Sequence, residues 1–216
     1  MIRVCIADDQ GMVRAGLRSL VDSEPDLQVV GEAADGREAV RLVGQLDPDV
    51  VLMDIRMPVL DGVSATQELT ASGHRARVLM LTTYDMDEYL FSALRAGAAG
   101  FLLKDCSAEE LCSGVRTVAA GEGMLAQAAT TKLITEFART SGADRRKTAL
   151  LGQLTERERA VLALMAREGG TNAEIARQLY IAPATVKSHV ASILSKLELR
   201  DRVQAVIFAF ESGLAG

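Results

Sequence analysis

Cysteine is scarce in this chain, and long apolar runs are absent. Its 216 residues hold three cysteines, Cys5, Cys106 and Cys112. Their odd number, at spacings that fit no zinc pattern, argues against a disulfide framework or a structural zinc site. Free thiols in a reducing cytoplasm are expected instead. No apolar run reaches the ~18 residues of a membrane span, so no membrane partner is expected. The N-terminal "MIRVCIADD" leads straight into a strand pattern, so no signal peptide is expected ahead of the fold. Low-complexity tracts are missing too. Nothing repeats beyond an alternation of strand and helix patterns.

Strong basic charge is also lacking. The chain is net −5. Residues 1–121 carry 11 Lys+Arg against 19 Asp+Glu, net −8, whereas residues 154–216 carry 8 against 7. The acidic excess lies in the first half. The second half is so weakly basic that bulk charge alone does not identify a nucleic-acid binder.

What is present is regular. "IRVCIA" (2–7), "LQVVGEA" (27–33), "VVLM" (50–53), "RVLMLT" (77–82) and "GFLL" (100–103) read as strands. Helical patterns lie between and after them. In the first, Val13, Leu17, Leu20 and Val21 fall on one face. Others span 36–45, 62–71, 86–96 and Ser107 to Ala120. Five such repeats with short links predict a parallel sheet covered by helices on both faces. From 122 to 152 the pattern weakens. "AATTKLITEF" allows one short helix, and "ARTSGADRRKT" reads as a polar linker. From 153 onward every pattern is helical.

The strand ends carry the chemistry. Asp8 and Asp9 follow the first strand, Asp54 ends the third, Thr82 the fourth and Lys104 the fifth. In an open α/β sheet of order 2-1-3-4-5, ligands bind beyond the carboxyl ends of neighbouring strands 1 and 3. Three carboxylates meeting there repel one another without a cation. Oxygen ligands in such a pocket suit Mg²⁺. A carboxylate can also act as a nucleophile that accepts a phosphoryl group. Taken singly, Asp8 and Asp9 could be helix caps and Asp54 a turn residue. Taken together, each at its own strand end, they point to phosphoryl transfer onto aspartate.

"ADD", "MDIRMPVLDG", "MLTTYD" and "AGAAGFLLKD" resemble the receiver domain of two-component response regulators over residues 1–121. The resemblance implies a flavodoxin-like fold with Asp54 as phosphoacceptor. It also implies Mg²⁺ held by Asp8, Asp9, Asp54 and the backbone carbonyl of Arg56. Thr82 and Lys104 would assist phosphoryl transfer, and Thr82 and Phe101 would form the switch. One departure is Asp105, where many receivers have proline after the lysine.

In the last third, "LTERERAVLALMA" and "TNAEIARQL" each open with a capping box, Thr155 with Glu158 and Thr171 with Glu174. In "YIAPATVKSHVASILSKLEL", Pro183 fits a first helical turn. Val186, Val190, Ile193, Leu194 and Leu197 form a buried stripe, and Lys187, Ser188 and Ala191 face away. This is a helix-turn-helix arrangement. Spacing alone leaves open a four-helix bundle with a solvated lysine. The stretch is similar to LuxR-type DNA-binding domains over about 60 residues. That resemblance implies base-edge contacts by Lys187 and Ser188 and phosphate contacts by Thr171, Asn172, Thr185 and Lys196. His189 is read as a packed or phosphate-side residue rather than a metal ligand. Two departures are a longer turn, "REGGTN", and Ala182 where relatives cap the helix with serine.

The whole chain resembles a NarL/FixJ-class response regulator. That implies a partner histidine kinase, double-stranded promoter DNA, a homodimer in the phosphorylated or DNA-bound state, and no enzyme activity of its own. The final helix, around 203–210, is expected to carry part of the dimer contact. The rivals are a phosphorylation-independent DNA-binding regulator and an aspartyl-nucleophile phosphohydrolase of the haloacid dehalogenase type. The latter normally shows Asp-x-Asp, and here Arg56 stands two residues past Asp54.

Overall fold

The computed structural model describes residues 1–82, 86–122, 145–168 and 171–215. The chain divides into two units, Met1–Met124 and Leu125–Gly216. The first contains β1 (Ile2–Ala7), α1 (Gly11–Asp22), β2 (Leu27–Ala33), α2 (Gly36–Leu46) and β3 (Val50–Asp54). It continues with α3 (Gly62–Ala71), β4 (Arg77–Thr82), α4 (Met86–Ala96), β5 (Gly100–Leu103) and α5 (Ala108–Ala119). The five strands pair in parallel in the order β2-β1-β3-β4-β5, a flavodoxin-like sheet.

Continuous apolar runs make these strands because both faces of a parallel sheet are covered. All five residues of β3 are buried. Val4, Ile6, Val50, Leu52, Leu79 and Leu81 from three adjacent strands form one core with Leu111 and Val115 of α5. Helix starts follow local chemistry. Asp35 caps α2, Asp61 caps α3, and Ser107 caps α5 in a full capping box with Glu110. In α1 the buried sector is turned toward Val21. Leu20, expected on that face, lies 100° away from Val21 and is exposed. Cys5 and Cys112 are buried, Cys106 is half-buried, and all three thiols are free. Burial pushes the Cys5 thiol up to about 12, so it is protonated and inert at neutral pH.

The second unit contains α6 (Arg145–Leu150), a 3-10 turn (Leu151–Gln153), α7 (Glu156–Glu168), α8 (Asn172–Leu179), α9 (Pro183–Lys196) and α10 (Arg202–Glu211). The short helix expected in "AATTKLITEF" lies outside the described residues. The end of the expected linker 122–152 is helical: Lys147 pairs with Glu211, and Thr148 Oγ1 donates to the Ser212 carbonyl. Residues 145–152 therefore fold with α10 rather than forming a loose link. In α10, Val203 and 205–210 are all buried, the pattern of a helix that packs as part of a core.

α7 and α9 are locked together by one buried carboxylate. Glu158 closes a capping box with Thr155, accepting from its backbone N–H at 2.8 Å. It also accepts from Ser192 Oγ at 2.6 Å and from Lys196 Nζ at 2.9 and 2.7 Å. Burial opposes its ionisation, but the bonds from Lys196, Ser192 and Thr155 win and hold it down to about 2. A depressed carboxyl contributes stability that is present above its ordinary value of 4.5 and is lost as pH falls toward 2. Glu158→Gln in the full chain should therefore lower the melting temperature of the second unit at neutral pH. The expected drop is about 4–8 °C, the shift that ~1 kcal/mol produces in a domain of this size. The variant should also be flatter than the parent between pH 4.5 and 2. Calorimetric scans across that range check this, and parallel pH profiles would contradict it.

Candidate functional site

Strand ends deliver the acidic residues, as the topology requires. The register sets Ala7 beside Met53 and Asp54 beside Leu81, so Asp8 and Asp54 leave adjacent strands at the same level. Carboxylate oxygens of Asp8, Asp9 and Asp54 lie within 4.8 Å of one another. Asp8 and Asp54 are buried, and Asp9 is exposed. A cleft of about 230 Å³ is lined by Asp9, Gln10, Asp54, Ile55, Arg56, Thr82, Tyr89 and Lys104. The sequence reading thus named residues that the fold brings to one place.

Neither acid of the "ADD" run caps α1. Its N-cap is Gln10, which makes no side-chain cap bond. Asp8 instead turns inward. Its Oδ1 accepts from the Gln10 backbone N–H at 2.8 Å, and Arg14 Nη1 donates to its carbonyl at 2.7 Å. Across the cleft, Gly62 fixes the loop after β3. A Cβ there would stand 2.0 Å from the Asp54 carbonyl oxygen, so only glycine fits. Its N–H donates to the Ile55 carbonyl at 2.8 Å. In the same loop Val59 is 82 % exposed with φ +66°, a strained conformation for a β-branched residue.

One cation serves two carboxylates. Lys104 Nζ lies 2.7 Å from Asp8 Oδ2 and 2.9 Å from Asp54 Oδ1. Burial works against the ammonium, but its contacts with Asp8 and Asp54 outweigh that and raise its pKa. Asp54 is also raised, because burial outweighs the opposing Lys104 ammonium and the Asp8 charge adds to the effect. Both partners rise because one ammonium is divided between two acids, so Asp54 receives only part of its field. Asp8 Oδ2 is fully buried, and its approach to Lys104 is not aligned as a hydrogen bond. A buried, under-satisfied oxygen beside two further carboxylates is a donor set that fits a hard divalent cation such as Mg²⁺.

Phe101 is buried beside Met80, on the strand next to Thr82. No cis peptide occurs among the described residues, and Asp105 follows Lys104 through a trans bond. Sequence reasoning missed Tyr89, whose ring has the Arg56 guanidinium carbon 5.4 Å from its centroid. It also missed Arg14. Its place one turn into the helix after "ADD" is the signal that could have suggested it.

In the second unit Thr185, Lys187 and Ser188 lie exposed on α9. Ser188 Oγ donates to the Ala184 carbonyl at 3.1 Å. The other three candidate DNA contacts are engaged in the protein. Thr171 caps α8 in a full capping box with Glu174, and Asn172 Oδ1 accepts from Arg202 Nη1 at 2.7 Å. Lys196 is held by Glu158, as described above. His189 is half-buried. The longer turn "REGGTN" runs partly outside the described residues.

A doubly wound sheet with this acid–lysine–threonine cluster, followed by a helix-turn-helix unit, defines a two-component response regulator of the transcription-regulating kind. The comparisons agree. Residues 4–116 match the response regulator receiver domain family, and residues 152–209 match the bacterial regulatory proteins of the luxR family. The chain belongs to these families. It is 43 % identical to the transcriptional regulatory protein LnrK of Bacillus subtilis, over 100 % of this chain and 99 % of that one. It is 40 % identical to the transcriptional regulatory protein LiaR of the same organism, over 99 % of both. Among solved structures, the response regulator ChrA of a heme-sensing two-component system matches with a TM-score of 0.54. That match has 37 % identity, over 99 % of this chain and 98 % of the other. No helix among the described residues is long and apolar enough to cross a membrane.

α9 begins at Pro183 with Ala182 as its N-cap, in extended conformation and without a side-chain cap bond. The Thr185 N–H already donates to the Ala182 carbonyl at 2.9 Å. Serine at 182 would add an acceptor for that turn. Ala182→Ser should stabilise the second unit by ~1 kcal/mol, seen as a raised melting temperature in the full chain, with DNA affinity changed by about twofold or less. Lower stability would contradict this account of the helix start.

Proposed function

We propose that Asp54 is the phosphoacceptor, that a histidine kinase is the donor and that the reaction uses Mg²⁺. The observation that carries this reading is the convergence of three carboxylates in the cleft at the strand ends, two of them sharing one lysine. Oxygens of Asp8, Asp9 and Asp54, with the Arg56 carbonyl, would hold the cation. Bound there, it neutralises charge on the phosphoryl oxygens. An Asp54 carboxylate oxygen attacks phosphorus, the P–N bond of the phosphohistidine breaks, and the imidazole leaves with a proton from solvent. Lys104, shared between Asp8 and Asp54 before reaction, supplies an ammonium to the new phosphoryl group, and the Thr82 hydroxyl donates to it. Thr82 and Phe101 then relay the change as the switch.

The phosphorylated chain binds double-stranded promoter DNA in the cytoplasm as a homodimer. Lys187 and Ser188 face base edges, while Thr185, Thr171, Asn172 and Lys196 meet phosphates. For Asn172 and Lys196 this requires sharing or leaving the Arg202 and Glu158 bonds. A phosphorylation-independent regulator is disfavoured because Asp8, Asp9, Asp54, Thr82 and Lys104 are all present and adjacent. A phosphohydrolase is disfavoured by Arg56 at the position where a second aspartate would be required.

The test is incubation with Mg²⁺ and acetyl phosphate, followed by phosphate-affinity electrophoresis. The parent chain should shift and Asp54→Ala should not. An equal shift in the variant would sink the assignment.

A further inference from the structure

The turn of the helix-turn-helix breaks a local rule. α8 ends with Tyr180 in the left-handed conformation, φ +54°, ψ +45°. The Ile181 N–H donates back to the Ala176 carbonyl at 3.0 Å, and the Tyr180 N–H to Arg177 at 3.4 Å, the bonding of a Schellman close. That position favours glycine, with asparagine second, because a Cβ is strained there. Tyrosine brings the strain without an evident compensating contact. The side chain is 95 % exposed, the most exposed large apolar residue of the molecule among those described. Its hydroxyl has no hydrogen-bond partner among the described residues. Departures from local consistency that the free fold does not repay are expected where a residue works on a ligand.

The location identifies the ligand. Tyr180 stands two residues before Ala182, the N-cap of α9, the helix with Thr185, Lys187 and Ser188 on its exposed face. A side chain projecting from that turn lies beside whatever this helix enters. The nearest chemistry at the edge of a DNA groove is the sugar–phosphate backbone, and a phenol offers it one hydroxyl donor and an apolar ring. We propose that Tyr180 is a DNA-backbone contact, its hydroxyl donating to a phosphate oxygen flanking the groove entered by α9. This rests on the reading of the second unit as the DNA-binding part. A contact of this kind positions the helix and carries no base information. Because the phenol is neutral, its loss should leave the salt dependence of binding unchanged.

The test uses the full chain as parent, Tyr180→Phe and Tyr180→Gly. Two duplexes serve as probes: one selected by the parent from a random-sequence pool, and one of mixed sequence at low salt. Tyr180→Phe should bind both duplexes about tenfold more weakly, the loss expected for a hydrogen bond to a charged group. Its slope of affinity against salt should match the parent's. Tyr180→Gly should melt at a higher temperature than the parent yet bind at least as weakly as the phenylalanine variant, which separates the contact from a folding defect. The chain has no tryptophan and three tyrosines, of which Tyr180 is the only one in the second unit. Either duplex should therefore perturb tyrosine emission in the parent more than in Tyr180→Phe. Parent-like binding by both variants would overturn the assignment, as would a loss confined to the selected duplex, which would mean base reading. Intact binding with lost transcriptional output would give Tyr180 to a protein partner and also overturn it. Failure of the parent to bind either duplex would overturn the DNA reading itself.

Discussion

Lys104 stands between Asp8 and Asp54, and one ammonium cannot satisfy both acids. The parallel topology forces this arrangement. β1 and β3 are neighbours in register, so the acids at their ends meet whether or not their charges are balanced. Burial then raises Asp54 despite the nearby ammonium and leaves a fully buried Asp8 oxygen without an aligned donor. The site is short of positive charge as built. Gly62, the Arg14 bond to the Asp8 carbonyl and the Gln10 N–H keep the loops from relaxing away from that frustration. A divalent cation would complete the set.

The second unit handles a buried charge in the opposite way. Glu158 is surrounded by four donors from Thr155, Ser192 and Lys196, so it is satisfied within the fold and ties α7 to α9. Its role is to fix the helix that carries the exposed face. Thr185 and Lys187 on α9, and the strained Tyr180 in the turn before it, are exposed and lie outside the core.

Much of this was legible in the sequence, for physical reasons. Strands buried on both faces leave continuous apolar runs, and an aspartate ending such a run, as Asp54 does, stands out. Helix starts were legible where the cap is local, as at Ser107, Thr155 and Thr171. Contacts distant in the chain left no signal. Lys196 reads as a free phosphate contact until the fold brings Glu158, 38 residues away, against it. Residues 145–150 read as linker because their composition is polar, and Lys147 and Thr148 gain their reason to be ordered from Glu211 and Ser212. Leu20 was misjudged because periodicity gives a face without fixing which edge of it meets the sheet.

The charge deficit at the strand ends is the central claim, and magnesium binding to the unphosphorylated chain tests it most directly. Isothermal titration of the full chain should give one Mg²⁺ per chain. Asp8→Asn removes one carboxylate without emptying the pocket and should weaken that binding by about tenfold or more. Equal binding by parent and variant, or no binding by the parent, would contradict the account.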